Sequence, residues 1–194
     1  MENKYHEVLI KISELFADYS YCKKRKVGCV ISIDNGRMLI PGYNGTISGL
    51  ENNCEDEVID CFKCKTPHVI EKDNLLINDY IVHTELYKVA YRHMCSCGAE
   101  NGYTADYLVD NKYLKTNEFT VHAEQNALAY TSKKGISTEG ASMFITTSPC
   151  KTCAKLIAQS GIKEVIFLEE YKDTDGIEFL KQLGIEVYHY KKGE

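Results

Sequence analysis

From residue 142 to near the C-terminus, strand-like and helical runs alternate without a break, and this alternation restricts the fold more than any other feature. Runs rich in β-branched and aromatic residues mark strands over 142–147, 164–168 and 185–190. Helical spacing marks 149–160 and 175–183, with Gly161 and Gly184 closing the helices. A strand-helix-strand-helix-strand order calls for parallel strands joined by crossover helices, so it predicts an α/β fold with helices on both faces of one sheet. Upstream, apolar runs over 27–33 and 37–43 flank Asp34-Asn35-Gly36, where Asn-Gly supplies the positive φ angles of a tight hairpin. That hairpin adds an antiparallel edge. Tyr5, Val8, Leu9, Ile12, Leu15, Phe16 and Tyr19 recur every three or four residues and predict an opening helix, and a further helix is expected over 120–134, ending at Gly135.

Residues 51–118 break this pattern and read as an insertion into a single domain spanning 1–194. They hold five of the nine cysteines together with His68, His83 and His93. Tyr80, His83, Tyr87, Ala90, Tyr91 and Met94 fall at helical spacing, which predicts a helix before Cys95. A chain of 194 residues accommodates one domain and an insertion more readily than two complete enzymatic domains. No apolar run approaches the roughly 20 residues that cross a bilayer, which excludes a membrane protein of the helical kind. A net charge of −5 argues against broad binding to nucleic acid, while leaving room for a local basic cluster around a small anion. Met1-Glu2-Asn3-Lys4 lacks the basic-then-apolar opening of a secretory signal, so the expected location is the cytoplasm of a bacterium or a virus-infected host cell. Thiols there are kept free or given to metals.

The chemistry is concentrated in His122-Ala123-Glu124 and, about two dozen residues on, Pro149-Cys150-Lys151-Thr152-Cys153. With Ser148 as cap and Pro149 at the first helical position, Cys150 and Cys153 fall on one turn and point to one side. The positive end of the helix dipole favours their thiolates. His122 completes a set of three ligands, the usual number for a catalytic zinc that keeps its fourth position for water. Glu124 is left beside that position as the acid/base group. Residues two apart on a regular helix diverge by about 200°, so His122 and Glu124 must both lie in the first turn, with Thr120 expected as the cap. The order His-x-Glu then Pro-Cys-x-x-Cys is the signature of zinc deaminases.

These stretches, together with Lys26-Val27-Gly28-Cys29-Val30-Ile31, Gly42-Tyr43-Asn44-Gly45 and Gln159-Ser160-Gly161-Ile162, make most of the chain resemble the deoxycytidylate (dCMP) deaminases of the cytidine deaminase superfamily. The resemblance implies a three-layer α/β/α sandwich around a mixed five-stranded sheet, with the Cys-rich segment inserted. It implies hydrolysis of dCMP to dUMP and ammonia, supplying dUMP for thymidylate synthesis. Asn44 is similar to a residue that hydrogen-bonds sugar and base, and Tyr171 to an aromatic neighbour of the nucleotide. For the phosphate, Arg25 and Lys26 of the basic run 23–26 are candidates on charge, and Lys133 stands where relatives carry a basic contact. The family tends to form hexamers. Members controlled by dCTP and dTTP often have a proline after Gly-Tyr-Asn-Gly, whereas this chain reads Thr46-Ile47-Ser48-Gly49, which leaves effector control open.

The insertion carries a second expectation. Cys61-Phe62-Lys63-Cys64 and Cys95-Ser96-Cys97-Gly98 are two close cysteine couples, the makings of a structural zinc site. Cys54, His68 and His93 compete as ligands. Relatives often hold a noncatalytic zinc near a cysteine in the place of Cys54, but their His-Cys pair before the catalytic histidine is replaced here by Tyr113-Leu114-Lys115-Thr116-Asn117. Two other functions stand as alternatives: a deaminase of dCTP, of a modified deoxycytidylate or of a base in RNA, and a zinc-binding nucleic-acid adaptor on a deaminase scaffold. Adaptor function has no use for Glu124.

Overall fold

The computed structural model describes residues 2–70 and 89–192. In chain order the elements are α1 (Glu2–Ala17), β1 (Gly28–Ile33), β2 (Met38–Tyr43), β3 (Gly45–Thr46), β4 (Glu55–Asp60), β5 (Pro67–Val69), β6 (Val89–Met94), β7 (Glu100–Thr104), α2 (Ala105–Asn111), β8 (Tyr113–Thr116), β9 (Thr120–Val121), α3 (Ala123–Lys134), β10 (Ser142–Thr147), α4 (Lys151–Gln159), β11 (Glu164–Glu169), α5 (Asp175–Gln182) and β12 (Glu186–His189). The chain divides into two compact units: Met1–Cys54 with Phe119–Glu194, and Glu55–Glu118.

The first unit is built on a five-stranded sheet in the order β12-β11-β10-β1-β2. Strands β10, β11 and β12 run parallel, while β1 pairs antiparallel with both β10 and β2. The parallel half comes from the crossover helices α4 and α5, and the antiparallel half from the opening hairpin, so the mixed sheet follows from the alternation read in the sequence. At the hairpin turn Asp34, Asn35 and Gly36 all take positive φ, one residue more than Asn-Gly alone would require.

Side chains of β10 alternate between the two faces, and each face has its own apolar cluster. Phe144 is fully buried with Leu9, Ile10 and Ile166 beneath α1, where the Tyr5 ring meets it edge-on at 5.9 Å. Met143 and Ile145 bury on the opposite face with Cys29, Ile31, Ala127, Ile157 and Leu180, beneath α3, α4 and α5. Each such large side chain removed from water stabilises the fold by about 1.5–3 kcal/mol before entropy is counted. Helices on both faces of one sheet make the three-layer α/β/α sandwich.

The second unit begins at Glu55, four residues later than the break in the sequence pattern, because Glu51 and Cys54 are held by hydrogen bonds from the Thr46 and Thr120 hydroxyls to their carbonyls. It contains the antiparallel sheet β5-β4-β8, the hairpin β6-β7 and α2. The helix expected before Cys95 is not found where the residues are described: 89–94 form β6, paired with β7. Backbone pairing with the returning strand overrides the helical spacing. Residues 80–88, including His83, lie outside the described residues.

Cysteine use also departs from expectation. Cys22 and Cys54 form a disulfide, their Cα atoms 5.1 Å apart. Cys54 is therefore withdrawn from the second metal's ligands.

Candidate active site

His122, Cys150 and Cys153 come together where the N-termini of α3 and α4 converge. His122 Nδ1 lies 3.7 Å from Cys150 Sγ and 3.3 Å from Cys153 Sγ. A tetrahedral zinc with Zn–N near 2.0 Å and Zn–S near 2.3 Å sets its nitrogen and sulfur ligands about 3.5 Å apart, so the trio fits that ion. All three ligating atoms fall within 4.8 Å of one another.

The capping differs from the sequence expectation in a way that explains the geometry. His122 is itself the N-cap of α3, with extended backbone at φ −72° and ψ 157°. The 200° divergence of a regular helix therefore does not apply, and His122 and Glu124 can serve one site. Thr120 lies in β9 instead. Cys150 is likewise the N-cap of α4, at φ −69° and ψ 164°, which puts Cys153 at the third helical position. Ser148 does not cap α4 because it is bound to the end of β11: its N–H donates to the Glu169 carbonyl and its Oγ accepts the Tyr171 N–H.

Two contacts that sequence reasoning missed hold these caps in place. Gln125 Oε1 accepts the His122 N–H at 2.9 Å, fixing the backbone that carries the imidazole. A Gln three residues after the cap is the readable signal for that bond. The first turn of α5 packs at Gly176 directly on the Pro149 carbonyl, so a Cβ there would collide with it and come within 2.9 Å of the Cys150 carbonyl carbon. Gly176→Ala should therefore push Cys150 out of register and weaken zinc binding about 10- to 100-fold, as outer-shell changes commonly do. Competition with a chromophoric chelator measures this.

Electrostatics separate the roles. The Cys150 thiol is drawn down to about 3, first by hydrogen bonding with Cys153 and then with His122. Cys153 is pushed well above the ordinary thiol value by its contact with the Cys150 sulfur and by burial. A second negative sulfur so close needs a cation. His122 is raised, chiefly by its contact with Cys150. Glu124 is 4% exposed and its carboxyl is raised, chiefly by burial, which suits a group that must both take and give a proton.

The remaining candidates divide. Arg25 and Tyr171 come together, the guanidinium 5.8 Å from the ring centroid, and Ser148 ties Tyr171 to the turn bearing Cys150. Asn44 uses its side chain as a clamp: Oδ1 accepts the Val27 N–H at 2.7 Å and Nδ2 donates to the Arg25 carbonyl at 2.9 Å. One amide proton and one lone pair remain for a ligand. Lys26 is not brought to this group; it lines a separate cavity of about 650 Å³ with Lys11, Glu14, Asp18 and Glu169. Nor is Lys133, which is exposed in the last turn of α3, nine residues and about 13 Å along the axis from Glu124. At that end it complements the helix dipole. In the second unit, Cys61, Cys64, Cys95 and Cys97 assemble as a group, whereas the His93 ring lies 4.0 Å from the His68 ring, tilted by 38°, and is not among the converging ligand atoms.

Residues 3–169 match the family described as the cytidine and deoxycytidylate deaminase zinc-binding region. The chain is 33% identical to the deoxycytidylate deaminase of Enterobacteria phage T4, over 95% of this chain and 89% of that protein. It is 28% identical to the deoxycytidylate deaminase of Saccharomyces cerevisiae, over 98% of this chain and 46% of that one. Among solved structures, the dCMP deaminase of cyanophage S-TIM5 superposes with a TM-score of 0.61 at 32% identity in its apo form, covering 97% of this chain and 99% of that one. The same enzyme in complex with dCMP and dUMP gives 0.59 at 34% identity, with 93% of each chain covered.

Proposed function

Because the chain belongs to the cytidine and deoxycytidylate deaminase family, we propose that it is a zinc-dependent hydrolase converting dCMP to dUMP and ammonia. The observation that carries this reading is a buried carboxylic acid, Glu124, two residues past the imidazole of a trio spaced for tetrahedral zinc.

His122, Cys150 and Cys153 would hold the zinc, which would supply Lewis acidity able to lower the pKa of a water from 15.7 to about 7. Glu124 accepts the proton of the attacking water and passes it to ring N3, which makes C4 electrophilic. The same carboxylate then takes the remaining proton of that oxygen, now a hydroxyl on C4, and delivers it to the departing amine, so that C4 becomes a carbonyl as the C–N bond breaks. Water and dCMP thus become dUMP and ammonia, with Glu124 restored to its starting state. Tyr171 offers a ring face at the mouth of the site, and Arg25, held by the Asn44 clamp and stacked on that ring, offers a guanidinium to the phosphate.

Ammonia release on dCMP, CMP, dCTP, deoxycytidine and hydroxymethyl-dCMP, with zinc quantified and dCTP and dTTP added as effectors, tests the assignment. The largest kcat/KM should belong to dCMP; a preference for deoxycytidine or dCTP would reject it. Arg25→Gln should raise KM for dCMP about 10-fold or more with little change in kcat, since a charge-assisted hydrogen bond contributes about 1.5–3 kcal/mol. Deoxycytidine, which lacks the phosphate, should not register the change. The same reading carries a homo-oligomer, hexameric in the family's usual form and checked by light scattering, working on the nucleotide pool of a bacterial or virus-infected cytoplasm.

A further inference from the structure

The four cysteines of the second unit form a site that the deaminase chemistry does not use. Cys61 and Cys64 sit on the turn between β4 and β5, and Cys95 and Cys97 on the turn between β6 and β7. Each couple is thus carried at the tip of a hairpin. The first turn is closed by hydrogen bonds from Lys65 N–H to the Cys61 carbonyl and from Cys61 N–H to the Thr66 carbonyl. The second is closed by Gly98 N–H to the Cys95 carbonyl and Cys95 N–H to the Ala99 carbonyl. Lys65 and Gly98, each the residue after its couple, both take positive φ. Two turns of different spacing, one Cys-x-x-Cys and one Cys-x-Cys, therefore reach a similar backbone shape.

The tips face each other. Cys61 Sγ lies 3.9 Å from Cys97 Sγ, and Cys64 Sγ lies 3.5 Å from Cys95 Sγ. All four sulfurs fall within 4.8 Å of one another. Sulfurs at the corners of a tetrahedron with a 2.3 Å metal–sulfur radius are about 3.8 Å apart, whereas a disulfide needs about 2.05 Å. The spacing is that of a metal's ligands.

Asn101, which is buried, holds the two tips together: its Oδ1 accepts the Phe62 N–H, and its Nδ2 donates to the Ala99 carbonyl. Tyr103 adds a second tie by donating its hydroxyl to the Asp60 carbonyl. Against this polar scaffold, the apolar cluster of the unit amounts to Ile59, Tyr103 and Leu108 with Ile70 among the described residues. A core of that size among the described residues is one that a staple would stabilise.

We infer that Cys61, Cys64, Cys95 and Cys97 bind one zinc ion in a closed tetrathiolate ribbon that holds the 55–118 unit folded. With all four positions taken by protein, no water can be activated there, so the ion is structural. Cys54 and His93 are excluded from the ligand set, the first by its bond to Cys22 and the second by its distance from the cluster.

Elemental analysis of the full chain should give two zinc ions per chain. Cys64→Ser/Cys97→Ser should give one, and Cys150→Ser/Cys153→Ser should also give one, now held only by the ribbon. Cobalt loaded into that second variant should show the intense sulfur-to-metal charge transfer of four thiolates. Should the ribbon variant fail to fold, the zinc-loaded wild type still decides: mass-mapped alkylation should find Cys61, Cys64, Cys95 and Cys97 protected together and released together by a chelator. Two zinc ions retained in Cys64→Ser/Cys97→Ser, none in Cys150→Ser/Cys153→Ser, or four thiols alkylated at the rate of an unfolded peptide would each overturn the site. Because the catalytic trio is varied separately, failure of the ribbon and failure of the deaminase assignment give different zinc counts.

Discussion

Glu124→Gln should retain its zinc while deaminating dCMP about 10²- to 10⁴-fold more slowly, the usual contribution of a positioned acid/base group. That range corresponds to about 2.7–5.4 kcal/mol of barrier. Glutamine keeps the volume and the hydrogen-bonding reach of the buried side chain but cannot carry a proton between water, N3 and the amine. Metal analysis beside the assay separates this from a folding defect, and wild-type turnover in the variant would remove Glu124 from the mechanism. Stability should move the other way. Burial raises the Glu124 pKa in the metal-free fold. A raised acid contributes stability that is fully present below its unfolded pKa, near 4.3, and is lost as pH climbs through the folded value. Metal-free Glu124→Gln should therefore gain on metal-free wild type as pH rises from about 4 to 8, by about 1.4 kcal/mol for each pKa unit of the shift. Thermal melts of both proteins across that interval read the difference.

Cys153→Ala should lose both zinc and activity, and added zinc should not restore turnover. Cys153 is fully buried at the third position of α4, facing the His122 imidazole. Its loss leaves two ligands where three are needed to hold the ion in an open catalytic geometry. Zinc content by elemental analysis distinguishes this outcome from that of Glu124→Gln. A pH signature accompanies it. In the metal-free site Cys150 is already ionised, whereas Cys153 keeps its proton. Zinc must displace that proton, so wild-type affinity should weaken about tenfold for each pH unit lost from this one group.

The α/β/α layers could be read in the sequence because local pattern and tertiary packing agree there. Strand β10 is fully buried along its length and lies among the crossover helices that its neighbours predict. The metal trio and Glu124 were equally readable, since residue type and spacing alone restrict what they can do. Details set by long-range contact were not. Ser148 looks like a cap in the sequence, but its bonds to Glu169 and Tyr171, which are distant in the chain, pass that role to Cys150. Lys26 is a candidate on charge and Lys133 on its likeness to a basic position in relatives, and neither ground carries a direction. The second unit was hardest, because residues 89–94 have helical spacing and adopt a strand only through their pairing with 100–104.

The second unit leaves the first through adjoining points on the chain. Thr120 Oγ1 donates to the Cys54 carbonyl at 2.9 Å, and Ile47 N–H donates to the Phe119 carbonyl, so the residues on either side of the 64-residue excursion are already joined. Excising 55–118 and closing the gap with a short Gly-Ser turn would demand little rearrangement of the backbone leading into the catalytic imidazole. The junction would thus act as a socket, able to take a different cassette without redrafting the scaffold that receives it.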